Sequence, residues 1–210
     1  MLRVEYSRKR DNKVRLGPGA LVRLPRAAGG EVHCLVAPNP VLPSCALSSL
    51  RRVSLYAPAG PVASASSGGI ARDWVRRVWG EHDRGFTLVE LTAPAVQAML
   101  AGRATSRAVA TAAEGMRATL VRGDEGVALR EKSVRIARVE GETLETSEEI
   151  YGGLLVGEEG SLLAVTQWGR HTEHNSLVDI VKEFLEDREW QIRCRSLAVD
   201  VCFRGFLHVY

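Results

Sequence analysis

The chain has 210 residues, enough for one large domain or two small halves around a substantial core. Hydrophobic residues make up 45% and charged residues 25%, which excludes a disordered or collagen-like chain, and a net charge of +3 is too small to imply a nucleic-acid partner by itself. No apolar run reaches the roughly 18 residues of a membrane-spanning helix, and the opening MLRVEYSRKR lacks the apolar stretch of a secretory signal. The expectation is therefore an intracellular protein, cytoplasmic or nuclear, with no membrane contact.

The charge is unevenly placed. Residues 1–26 hold eight basic residues against Glu5 and Asp11, a local sum of +6, so the remainder of the chain sums to −3. Residues 1–15, with Arg8, Lys9 and Arg10 at their centre, read as a basic N-terminal arm. The acid concentrates in 140–159, which has seven Glu and no Lys or Arg. Both runs suit solvated surfaces, and a sharper reading has the basic arm meeting an acidic surface on this chain or a partner.

ALVRLPR (20–26) and EVHCLVA (31–37) are short apolar runs joined by AAGG, which predicts a β-hairpin. RRVSLYA (51–57) is a third strand, and PAGPVASASSGG (58–69) is a loop by composition. IARDWVRRVW (70–79) is read as a short helix, with Ile70, Trp74, Val75 and Val78 on one side. FTLVEL (86–91) is strongly β-prone. TAPAVQAML (92–100) suits a helix opening with Thr92 as cap and Pro94 in the first turn. Residues 93–118 are Ala-rich and connect two halves. GMRATLVRG, SVRIARVE, YGGLLVG and SLLAVTQWG then follow as strands, a pattern that favours a sandwich or barrel. In NSLVDIVKEFLED, Leu177, Ile180, Val181, Phe184 and Leu185 recur at helical spacing. LAVDVCF alternates as a final strand.

Cys34, Cys45, Cys194 and Cys202 form no CxxC pair, and His171 and His174 have no companion at metal spacing, so neither a metal nor another cofactor is expected. His33 reads as an ordinary strand residue, and Cys34 has no identifiable base. Adjacent His82 and Asp83 point apart in an extended segment. Ser66 and Ser67 suit a flexible Ser/Gly loop.

Three segments together resemble the trypsin-like (chymotrypsin-fold) serine peptidases. In GALVRLPRAAGGEVHCLVAPNPVLPS, the stretch LVAPNPVLPS matches a motif L-V-T-x-x-H-V-L-P-S, and Pro40 stands where that family has its general-base His. In IARDWVRRVWGEHDRGFTLVEL, Gly85 takes the place of the Asp that orients the His. In YGGLLVGEEGSLLAVTQWG, Tyr151 takes the place of the nucleophilic Ser of G-x-S-G-G-P-L. Glu149 falls on the glycine whose amide turns into the oxyanion hole.

The resemblance spans roughly residues 16–187 and implies an all-β fold. Two six-stranded β-barrels of chymotrypsin type pack side by side, with a late C-terminal helix and an extra terminal strand. The barrels are expected over 16–92 and, with the helix, 115–187. A connection over 93–114 joins them, and 188–210 form a C-terminal extension.

The resemblance also implies a pseudoprotease. The triad needs a hydroxyl nucleophile, an imidazole and a carboxylate. Pro40 has no titratable group and Gly85 no side chain. Tyr151 puts its oxygen ångströms beyond a serine Oγ, with an ordinary pKa of about 10. A carboxylate at 149 would repel a developing oxyanion. The function expected is therefore a catalytically inactive protease-fold module that binds another protein or acts as a scaffold. Arg8, Lys9, Arg10, Tyr151, Trp190, Phe203, Phe206 and Tyr210 are its candidate contacts, and homodimerisation through the terminal strand is one mode. The alternatives are a nucleic-acid-binding module using the basic arm and an active hydrolase with non-standard residues.

Overall fold

The computed structural model describes residues 1–8, 13–25, 30–38, 50–65, 74–81, 86–123, 128–141, 143–148, 153–166, 173–178 and 181. The chain is built from strands whose apolar residues recur every second position, the spacing that puts them on one face of a sheet.

LRVEYSR forms strand β1 (Leu2–Arg8). Leu2 and Val4 are fully buried, while Arg3 and Glu5 face the other way and pair with each other at 3.2 Å. This corrects the reading of residues 1–15 as an arm. The alternation of apolar and charged residues gives the segment a buried face, and β1 lies inside the first sheet between two other strands.

The predicted hairpin forms from β2 (Val14–Pro25) and β3 (Glu31–Pro38), in register from Ala20↔Val36 to Pro25↔Glu31. Next come β4 (Leu50–Ala57) and β5 (Gly60–Ala65). Here a strand replaces part of the expected loop over 58–69. Pro58 and Ala59 turn the chain, Gly60 takes φ +136°, and the small residues that follow pair back along β4.

The expected helix over 70–79 is also corrected. Val75–Glu81 form β6, which pairs with β7 (Phe86–Leu91) through Val78↔Val89 and Trp79↔Leu88. Four apolar positions over ten residues fit either period, and the neighbouring strand's backbone decides between them. Along the sheet the order is β5-β4-β1-β2-β3-β7-β6. Its two ends, β5 and β6, are successive in the chain.

Helix α1 (Ala93–Ala101) forms where predicted, with Thr92 at the N-cap position, although the Thr92 side chain makes no capping bond. Ala95, Val96 and Met99 bury against the first sheet. The connection then adds β8 (Ser106–Arg107), parallel to β2, and Arg107 donates to the carbonyl of Gly160 in the other half.

The second half is a closed six-stranded barrel, as expected. Its strands are β9 (Arg117–Gly123), β10 (Leu129–Glu140), β11 (Thr143–Thr146), β12 (Gly153–Gly157), β13 (Leu162–Thr166) and β14 (Glu173–Ser176). They close in the order β10-β11-β14-β13-β12-β9. TLET and EHNS, the segments of β11 and β14, are too polar to announce themselves as strands. Within the predicted helix, residues 177, 178 and 181 are helical, and Leu177 and Val181 are buried on one side. The rest of that helix, the terminal strand and the extension over 188–210 lie outside the described residues. Among the described residues no helix is long and apolar enough to cross a membrane.

Among the described residues three apolar clusters organise the fold. One fills the first half, around Leu2, Val4, Leu21, Leu35, Leu55, Val89 and Met99. Another fills the second barrel, around Leu120, Val134, Ile136, Leu144 and Leu155. The third joins the halves, setting Ala20, Val22, Cys34, Val36 and Leu88 against Val121, Leu154, Val156, Leu162 and Val165. Adjacent residues such as Leu35 and Val36, or Leu154 and Leu155, therefore serve different clusters. Such strands read as continuous apolar runs because both their faces are buried.

Candidate functional site

The three segments that carry the triad-matching positions meet at this junction. β3 and β7 are antiparallel, and their last paired residues are Pro38 and Phe86. In the chain, Pro40 follows the first and Gly85 precedes the second. Two pairs inward, Val36 lies opposite Leu88. Both side chains enter the joining cluster, where they share a core with Leu154. Leu154 is the second residue of β12, whose start at Gly153 lies just after Tyr151. Strand pairing and apolar burial thus set β3, β7 and β12 around one core between the halves, through Val36, Leu88 and Leu154. Pro40, Gly85, Tyr151 and Glu149 themselves lie outside the described residues.

The approach to β12 is tied down by polar contacts. The amide of Ser147 donates to the carbonyl of Arg135 at 3.0 Å, and the amide of Arg135 donates to the Ser147 hydroxyl at 3.3 Å. The Thr146 hydroxyl donates to the carbonyl of Glu148 at 2.9 Å. Glu148 forms an ion pair with Lys132 on β10, and Glu140 pairs with Arg138 at 2.8 Å. Part of the acidic run is therefore matched by cations of its own barrel.

The other chemistry-bearing residues fall elsewhere. His33 is half-buried on β3, opposite Arg23. Cys34 is fully buried in the junction, where a thiol cannot meet a substrate. His174 is in β14, opposite Leu144 and Thr166. His82, Asp83, Ser66, Ser67 and His171 lie outside the described residues, as do Lys9, Arg10, Trp190, Phe203, Phe206 and Tyr210. Arg8 is the last residue of β1. Among the described residues no three His, Cys, Asp or Glu side chains gather as metal ligands.

No protein-family model and no curated protein matches the sequence. Solved structures do match. Deg5 superposes with a TM-score of 0.56 at 14% identity, over 89% of each chain. The serine endoprotease of Yersinia pestis gives 0.52 at 11% identity, over 89% of this chain and 62% of its own. The MamO protease domain of Magnetospirillum magneticum gives 0.50 at 13% identity, over 88% and 96%. The fold is the chymotrypsin double barrel. The double-barrel architecture is as expected, except that the first half lines up seven strands with β8 beside them instead of six; identities this low make the likeness one of fold.

Sequence reasoning missed one contact on the first sheet, the stacking of Arg3 on Tyr56. The two are cross-strand partners on β1 and β4, with the Arg3 Cζ 4.4 Å from the ring centroid. The signal that could have found it is the alternation of LRVEYSR, which marks Arg3 as an outward-facing strand residue. Its partner on β4 is fixed only by the register of the two strands.

Proposed function

We propose that this chain is a catalytically inactive protease-fold domain that acts by binding another protein. The observation that carries the reading is the set of residues at the three triad-matching positions: Pro40, Gly85 and Tyr151. None supplies an imidazole or an orienting carboxylate, and a serine hydroxyl is missing as well. Those positions are neighbours in the chain of the ends of β3, β7 and β12, which supports a cleft scaffold kept without the groups that do the chemistry. A tyrosine beside such a cleft is a large, rigid contact of the kind that anchors protein interfaces.

The test is labelling with a fluorophosphonate probe, which reacts with activated serine nucleophiles. The purified chain is expected to stay unlabelled under conditions that label an active trypsin-like control. Labelling that one point substitution abolishes would overturn the proposal. Crosslinking mass spectrometry in native extract, repeated with Tyr151→Ala, then identifies the partner and shows whether the cleft contacts it.

A further inference from the structure

An open depression of about 300 Å3 lies on the first sheet, lined by Met1, Arg3, Tyr56, Ala57, Pro58 and Gly60. Arg3 and Tyr56 face away from the core that holds their neighbours Leu2, Val4, Leu55 and Ala57. The guanidinium stacks on the Tyr56 ring, which holds its plane in one orientation. Glu5 engages Nη2 at 3.2 Å from outside the lining. The Arg3 Nε is buried and meets no hydrogen-bond acceptor among the described residues.

Arg3 therefore has N–H capacity left beside its Nη2 contact to Glu5. A guanidinium has five N–H groups in a fork that fits a carboxylate. Among the described residues no carboxylate lines the depression, and Met1 and Pro58 give it apolar walls. We propose that it binds a carboxylate carried on a short apolar stem, with Arg3 as the anchor and Tyr56 as the platform that orients it. A peptide's C-terminal residue and a glutamate side chain both present that group. The proposal does not depend on the triad positions, so it stands or falls separately from catalytic inactivity.

The full chain, labelled with 15N, is titrated with three probes while the Arg3 Nε–H signal is followed. N-acetyl-leucine carries a terminal carboxylate, N-acetylglutamate α-amide carries only a side-chain carboxylate, and N-acetyl-leucinamide carries none. Saturable shifts with either acid and none with leucinamide are expected, and the stronger acid names the source. Arg3→Gln is expected to weaken binding about tenfold or more through loss of the charged fork. If Arg3→Gln does not fold, the contrast between acid and amide on the unaltered chain still decides. No saturable shift with either acid overturns the proposal, as does an equal response to leucinamide or undiminished binding by a folded Arg3→Gln chain.

Discussion

At the scale of single residues, Gly123 shows how closely the two halves approach. A Cβ on Gly123 at the end of β9 would overlap the carbonyl of Leu16 on β2. Only a residue without a side chain lets these two backbones pass so closely. Gly123→Ala is expected to destabilise the chain by about 1–3 kcal/mol through overpacking, read as a lower urea midpoint. Lys132 and Glu148 present the opposite case. Their side chains are 58% and 43% exposed, so solvent screens the attraction. Lys132→Ala is expected to cost no more than about 1 kcal/mol, with the difference shrinking as salt is added.

Among whole elements, β1 is the informative one. Its charges suggest an arm, yet its apolar residues alternate with them and the strand lies between β2 and β4. Leu2 is 1% exposed. Leu2→Ala is expected to cost about 2–5 kcal/mol in chemical unfolding, where an arm would lose nothing measurable. β6 makes the complementary point. Its sequence fits a helix and a strand about equally, and pairing with β7 settles it. β11 and β14 carry few apolar residues, so their pairing with each other and with the strands beside them defines them.

For the whole molecule, the joining cluster makes the two halves depend on each other. Leu154 of β12 and Val36 of β3 are both fully buried in it. Leu154→Ala is expected to lower stability by about 2–5 kcal/mol and to speed hydrogen exchange in β3 as well as β12. Separate melting of the halves in calorimetry would contradict that coupling.

The sequence by itself determined the hairpin of β2 and β3, helix α1, four strands of the second barrel and the double-barrel architecture. The elements follow from local periodicity, and the architecture is what the resemblance to the trypsin-like peptidases implies. It also determined which residues stand at Pro40, Gly85 and Tyr151. The tertiary structure alone decided that residues 2–8 are a core strand, that 75–81 are extended, and that Arg3 stacks on Tyr56. Each of these depends on a partner far away in sequence, because a strand's edges and a half-buried ring gain their meaning only from the backbone or side chain brought against them.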